Sequence, residues 1–434
     1  MTSRVTLEML PADYGDALHV SYGCGERRHH LWVDGGLVKS YRENWRVRVR
    51  QLAARGEEID LLVVSHIDAD HINGMRAFVE ENQQQAEDED FVPIREVWFN
   101  QYRHIRPYGK GEWEEDDVLR AFLQLSDRGD FVDYISQRAA SFAPLACRLA
   151  RTSHEEMAPK GVNEGRTLAR LLDGGYPSNE RFGGGAVVRE GDPPMVELSG
   201  GARIWVLSPN RGGLGRLFDV WEAYLKERDL EEMLAVRGVG PMTAGEALVP
   251  GFVQSLMLWD REPFEMPLKG REEDLGLPIE VLAQRDFQED DSVANHSSIA
   301  LLFEYAGRRL LLAGDAYPSV LVKGLKAMGY SPRCPLQVDA FKLAHHGSRA
   351  NTSGELLDLV DCSRYLISTS GARFGHPDKE CLARVIWGSR CDPDTTLYFN
   401  YEGTDAEKAL DVATDRCRYH YRIAHLGEGE RLLL

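Results

Sequence analysis

SHIDADH, residues 65–71, follows the apolar run LLVV (61–64) and leads into a predicted helix from Ile72. Four side chains able to ligate a metal, His66, Asp68, Asp70 and His71, fall within six positions where a buried strand ends. Such a strand end is a rigid platform, and the turn after it can aim alternate side chains at one point in space. Carboxylates and imidazoles crowded there repel and desolvate one another unless a cation or solvent satisfies them. The competing reading is a polar loop capping a helix, with Asp70 near the helix N-terminus.

Working outward, VTLEML (5–10) and ALHVSYG (17–23) alternate apolar and polar positions as half-buried strands do, and PADYGD turns between them. HHLWVD (29–34) is a third strand, ending in Asp34, and 40–55 reads as a helix. A helix over 73–83 precedes the strand IREVWFN (94–100). From 101 to 200 charged helical segments and a glycine-rich stretch interrupt the strands, so this part is expected to be an insertion or lid between an N-terminal half (1–100) and a C-terminal half (201–434). Strand character returns at ARIWVLSPN (202–210), a helix is expected near 214–236, and 237–292 stays unassigned. IALLFEY (299–305) and RRLLLAGD (308–315) form a hairpin through Ala306-Gly307, and DAFKLAHH (339–346) is another strand. RYLISTS (364–370), TLYFNY (396–401) and RYHYRIA (418–424) complete the strands, with helices between them. Metal-competent residues end four strands, at Asp34, His66–His71, Asp315 and His345-His346, and His376 follows a fifth. That pattern implies a layered α/β or α+β architecture with a site along one edge of the sheets. His104, His154, His420 and His425 read as ordinary structural histidines, and His296, in NHSS, as part of a turn that Asn295 and the serines close.

The 434 residues carry a net charge of -18, which opposes non-specific binding to a phosphate backbone. Arg42, Arg46, Arg48, Arg50 and Arg55 crowd one stretch, best read as a solvated helix face. The seven scattered cysteines lack CxxC spacing and read as reduced thiols. With no apolar run long enough to span a membrane and no signal-like start, a cytoplasmic protein without a membrane partner is expected.

SHIDADH, AGDA (313–316), LAHHGS (343–348) and FGHP (374–377) together resemble the metallo-β-lactamase superfamily. More narrowly they resemble the ComEC/Rec2 catalytic domain and its free-standing soluble relatives, whose DVGQGDA-type opening is similar to PADYGDA (11–17). The resemblance implies a four-layered αβ/βα sandwich of α+β class with two divalent metal ions at one edge. It puts His66 and Asp68 on the first metal, Asp70 and His71 on the second, and Asp315 between them; one or more of His345, His346 and His376 complete the set, His345 being the expected ligand. Asp34, Asp16, Asn295 and Ser348 are expected to support the ligands. Two departures stand out: the superfamily's commoner motif has His where this chain has Asp68, and its third-motif histidine has no counterpart between 72 and 314. Carboxylate in place of imidazole hardens the donor set and favours Mn²⁺ or Mg²⁺ relative to Zn²⁺.

The expected chemistry is hydrolysis of a phosphodiester, nucleic acid included, by water activated between two cations. Asp70 would orient that water, while His346 or His376 would protonate the leaving group or hold a phosphate oxygen. Ser348 and Arg349 could bind a substrate anion, Arg349 being equally readable as a surface charge; Lys342 is read as structural or as a support behind the ligands. The other readings are a hydrolase of a small ester, lactone, thioester or amide, and a metal-holding regulatory module without turnover, with the insertion available to a protein partner.

Overall fold

The computed structural model describes residues 3–25, 27–84, 91–109, 162–222, 272–388, 395–427 and 429–434. The charged helical segment expected from 112, most of 237–292, and His154 lie outside the described residues.

The chain is a mixed α/β fold whose described residues form sheets of six, eight and two strands. The first sheet contains β1 (Ser3–Met9), β2 (Leu18–Cys24), β3 (His29–Val33), β4 (Leu61–Val63), β5 (Val97–Trp98) and β16 (Leu432–Leu433), in the order β16-β1-β2-β3-β4-β5. Its first pairings are antiparallel, and β3-β4 and β4-β5 are parallel. The eight-stranded sheet runs β15-β14-β13-β11-β9-β8-β7-β6, built from β6 (Met195–Glu197), β7 (Arg203–Ser208), β8 (Ala300–Tyr305), β9 (Arg308–Leu312), β11 (Ala340–Lys342), β13 (Arg364–Ile367), β14 (Thr395–Phe399) and β15 (Tyr421–His425). β10 (Leu336–Gln337) and β12 (Val360–Asp361) pair separately.

Strand alternation sets the packing. Val5, Leu7, Val20, Leu31, Leu61 and Trp98 of the first sheet share one apolar cluster with Ile204, Leu301, Phe303, Leu310, Ala340 and Leu366 of the second. The opposite faces of the two sheets pack on helices. Trp32, Leu62 and Val64 meet residues of the helical segments 38–54, Ala69–Gln84 and Val162–Asp173, while Leu302, Leu311, Phe341 and Tyr365 meet the helices Pro318–Ala327, Gly354–Asp358 and Lys379–Gly388. Among the described residues no helix is long and apolar enough to cross a membrane.

Several boundaries differ from the sequence reading. The helix after SHIDADH starts at Ala69, because the Asp68 carbonyl already accepts from the N–H groups of His71 and Ile72. Asp70 and His71 therefore occupy its first turn, where a carboxylate also suits the helix dipole. Near the C-terminus, 413–419 is helical where a strand was expected from 418; His420, at φ 56°, ends that helix and pairing with β14 begins at Tyr421. Within the expected insertion, the helix Val162–Asp173 packs Leu168 and Leu172 against Phe78 and Val79, and β6 extends the larger sheet. The hairpin turn Ala306-Gly307 has positive φ at both residues, as a two-residue turn matching strand twist requires.

Two glycines permit the close approaches that frame the site. A Cβ on Gly74 would lie 1.8 Å from the Gly35 carbonyl oxygen, and one on Gly15 would lie 1.8 Å from the Asp70 carbonyl oxygen. The helix Ala69–Gln84 thus sits directly on the loop after β3. Trp45 closes that contact from behind, fully buried, with its indole N–H donating to Gly35 O at 3.0 Å and its ring against Trp32, Tyr41 and Phe78. Trp45→Ala is expected to cost about 3–5 kcal/mol of folding stability, read by denaturant unfolding; a loss under about 1 kcal/mol would show that the loop is held by other contacts.

Candidate metal centre

The donors come from strand ends in both sheets. His66 and Asp68 follow β4, His71 lies one helical turn on, Asp315 follows β9, and His345 and His346 follow β11. Because β9 and β11 are parallel neighbours, their C-terminal ends deliver Asp315 and the histidine pair to the same edge. Asp34, His345 and His346 all adopt left-handed backbone, with φ of 58°, 48° and 57°. Such conformations cost of order 1–3 kcal/mol each in non-glycine residues and persist where the surroundings over-determine them.

Four imidazole Nε2 atoms converge on Asp315 Oδ2: His71 at 3.3 Å, His346 at 3.7 Å, His66 at 3.8 Å and His345 at 3.9 Å. Asp68 Oδ2 lies 3.6 Å from His66 Nε2, and Asp70 Oδ2 lies 3.6 Å from His346 Nε2. The rings of His66 and His71 lie 4.2 Å apart between centroids and those of His71 and His346 5.1 Å, so His71 stands between the other two beside Asp315. His345 and His346 both aim Nε2 at the shared carboxylate, so His346, expected to act on substrate, stands equally among the donors. His376 is further out, its ring centroid 5.1 Å from that of His345 and its Nδ1 3.4 Å from Asp378 Oδ2.

Each imidazole is fixed through its other nitrogen, which turns Nε2 toward the shared carboxylate; the Nε2 atoms of His71 and His346 lie 3.3 Å apart. His71 Nδ1 meets Asp34 Oδ2 at 2.8 Å, and Asp34 also accepts from Ser65 N–H and Ser65 O–H at 2.7 and 2.6 Å. His66 Nδ1 lies 2.9 Å from Ser65 Oγ and 3.1 Å from Ser298 Oγ, and Ser298 Oγ accepts from the Asp315 N–H at 3.0 Å. His346 Nδ1 meets the Ser368 carbonyl at 2.9 Å, so it carries the ring hydrogen. His345 Nδ1 sits among Asn351 Oδ1 at 3.0 Å, Asn295 Nδ2 at 3.3 Å and Asp290 Oδ2 at 3.5 Å. Ser348 acts through the backbone, its N–H donating to the His345 carbonyl at 2.8 Å.

Asp16, His71, Asp315 and His346, all buried, each place a donor atom within 4.8 Å of the others, a group able to hold a metal ion. By proximity alone Asp16 would count as a ligand. Its contacts argue for support: Oδ1 lies 3.4 Å from His346 on the Nδ1 side of the ring, and Oδ2 accepts from the fully buried Lys342 ammonium at 2.5 Å. The Lys342 charge thereby stays matched inside the protein. The donor set otherwise fits a cation: His66 Nε2 and Asp315 Oδ1 are buried and make no hydrogen bond, a costly state for polar atoms unless a ligand satisfies them.

Electrostatics point the same way. Burial would lower His71 and raise Asp315, but mutual attraction wins: Asp315 and Asp34 hold His71 well above its ordinary value, while His71, His346 and His345 hold Asp315 well below. His345 is pushed up to about 10 against its desolvation, by Asp315 and Asp290, and His346 is raised by Asp315 and Asp16. His376 differs, burial lowering it despite Asp378.

Ser298, Asp290 and Asn351 were missed by the sequence reading. Ser298 lies in NHSS, taken for a plain turn, and Asp290 in a segment left unassigned; an acidic run placed just before a strand start was the available signal. His296, kept apart as structural, stacks on Tyr317 with centroids 4.3 Å apart and lines, with Asp290, an open cavity of about 790 Å³ beside the centre. His104 bonds the Phe99 carbonyl, away from the site. Arg349, readable as a surface charge, is instead buried, its backbone N–H donating to Asp378 Oδ2 at 2.8 Å.

His71→Ala and Asp315→Ala are each expected to lower the metal content of the purified protein, measured by elemental analysis; unchanged stoichiometry in both would refute the donor assignment. Because the raised histidines must lose protons to become ligands, metal uptake near neutral pH should release protons and tighten as pH rises. Calorimetry in buffers of different ionisation enthalpy reads this directly, and buffer-independent heats would contradict it.

No family model matches the sequence, and no curated protein matches it. Among solved structures, the chain is similar to the crystal structure of the metallo-beta-lactamase fold protein YhfI from Bacillus subtilis, at 8% sequence identity and a TM-score of 0.35, covering 99% of this chain and 100% of that one.

Proposed function

We propose that the chain is a metal-dependent hydrolase of the metallo-β-lactamase superfamily, a four-layered αβ/βα sandwich that cleaves phosphodiesters as the ComEC/Rec2 domains it resembles would. The observation that carries this reading is the convergence of four Nε2 atoms on one buried carboxylate oxygen, flanked by Asp68 and Asp70. Two divalent cations in such a donor set, Mn²⁺ or Zn²⁺ with Mg²⁺ as a further option, would acidify a water and neutralise the charge of a phosphodiester. The share of carboxylates favours the harder ions.

The protein's own groups supply the remaining tasks. Asp70, held below its ordinary value by His346 and His71 against its desolvation, stays ionised and can accept a proton from an attacking water. His376, kept neutral by burial, can donate a hydrogen bond to a non-bridging phosphate oxygen. On the rim, Arg373 donates to Tyr14 O–H at 2.6 Å and stacks over Tyr14 and Phe374, whose rings meet edge-on at 5.5 Å. An exposed guanidinium and two aromatic faces beside a carboxylate-rich centre suit a substrate that joins phosphate to a flat ring, as nucleic acid does. With a net charge of -18 on the whole chain, recognition must be this local. The cytoplasm is the proposed compartment, and the stretch 101–200 the proposed contact for a protein partner.

The test is turnover of a chromogenic phosphodiester and of single- and double-stranded DNA with Mn²⁺, Zn²⁺ or Mg²⁺, beside lactone and thioester probes. Phosphodiester cleavage that Asp70→Ala lowers by about 10²–10⁴-fold is expected. Cleavage of carboxylic esters with no phosphodiester turnover would sink the reading, and no turnover of any substrate would leave a metal-holding module.

A further inference from the structure

The alternation that buries one face of β1, β2 and β3 puts Thr6, His19, Ser21 and His30 on the other, so that part of this face is polar. At the end of the sheet away from Asp34, those outward positions line a second cavity of about 290 Å³. Thr6, Ser21 and His30 form one transverse row across it, paired Thr6 with Ser21 and Ser21 with His30. His30 and Asp34 lie four residues apart, about 13 Å along an extended strand, so this cavity is separate from the metal centre.

Its charge runs against that of the chain. Four arginines, Arg4, Arg28, Arg55 and Arg431, line it with a single carboxylate, Glu57. Arg55 is spent on Glu57 at 2.7 Å, and Arg431 on Glu8 at 3.2 Å, a carboxylate already shared with Arg48. Arg28 reaches only two carbonyls, Arg4 O at 3.4 Å and Gly23 O at 3.5 Å. Neither Arg4 nor Arg28 has a carboxylate partner among the described residues. Of the arginines crowded between 42 and 55, Arg46 and Arg50 pair with Glu81, so the arginine-rich helix contributes only its end to the cavity.

The cavity floor is a buried histidine pair. His19 Nε2 and His30 Nδ1 lie 2.9 Å apart, stacked beside Trp32. His30 is 2% exposed, and its Nε2 makes no hydrogen bond although it faces Glu57 Oε2 at 3.3 Å. Burial, then the neighbouring His19 and Arg55 charges, push His30 down to about 2, so the ring is neutral. The Glu57 carboxylate favours the tautomer with hydrogen on Nε2, an unsatisfied donor beside the arginines.

We propose that this cavity binds a small phosphate-bearing anion, held by the Arg4 and Arg28 guanidinium groups with the Ser21 hydroxyl and the His30 Nε2–H as neutral donors. Two planar forks around one small volume match a tetrahedral dianion better than a single carboxylate, since each can take two of its oxygens. The proposal stands independently of the hydrolase reading.

The test is calorimetric titration of the full-length metal-free protein in EDTA, at constant ionic strength, with inorganic phosphate, with a nucleoside monophosphate and with citrate. Saturable binding of phosphate or the monophosphate is expected, weakened about tenfold or more by Arg4→Ala/Arg28→Ala and retained in Asp315→Ala. The monophosphate arm tells whether the anion is free phosphate or carries an organic group. Both arginines are free of ion pairs among the described residues, so an unchanged melting temperature should accompany the loss; if the double variant is unstable, Arg28→Gln alone serves. No saturable heat, binding unaffected by these substitutions, or tighter binding of citrate than of either phosphate would overturn the proposal.

Discussion

A carboxylate closed off from water, with four imidazole nitrogens within 4 Å of one of its oxygens, is the constraint that the rest of this protein is arranged to meet. Asp315 cannot be left alone there, because an unpaired buried charge costs several kcal/mol. Against their burial, the Asp315 carboxylate raises His71, His345 and His346. The histidines supply the attraction at this point and the groups behind them hold each ring so that its Nε2 faces it, while Asp68 and Asp70 add carboxylates on the Nε2 side.

Holding those rings is costly in backbone terms. Asp34, His345 and His346 each sit in left-handed conformation, and the loop carrying Asp34 is pressed so closely against the following helix that only glycine fits at position 74. The offset comes from apolar burial on both faces of both sheets, where Trp45, Phe78, Phe303 and Phe341 are buried completely. The strain of these left-handed residues is therefore concentrated at strand ends, where it turns side chains toward one place.

The distribution of charge divides in a similar way. Arginines of this strongly acidic chain pair with carboxylates, as with Arg46 on Glu81 and Arg48 on Glu8, while Arg4 and Arg28, without a carboxylate partner among the described residues, stand over the histidine floor behind β1–β3. Lys342 is the extreme case of pairing, a fully buried ammonium whose carboxylate partner Asp16 is 326 residues away in sequence.

What the sequence determined by itself was local: apolar runs such as LLVV that must be strands, the alternation of VTLEML, the Ala306-Gly307 turn, and the ligand-rich segments at strand ends. These are legible because strand period, turn chemistry and ligand crowding all act over a few residues. Only the tertiary structure decided that the ends of β4, β9 and β11 face one another, that Asp16 serves Lys342 and His346, and that Ser298 and Asp290 stand behind the ligands. Those relations depend on how two sheets register across their shared core, and packing of that kind leaves no periodic trace along the chain. The same holds for Arg349, whose burial follows from the elements folded over it and could not be read from its neighbours in sequence.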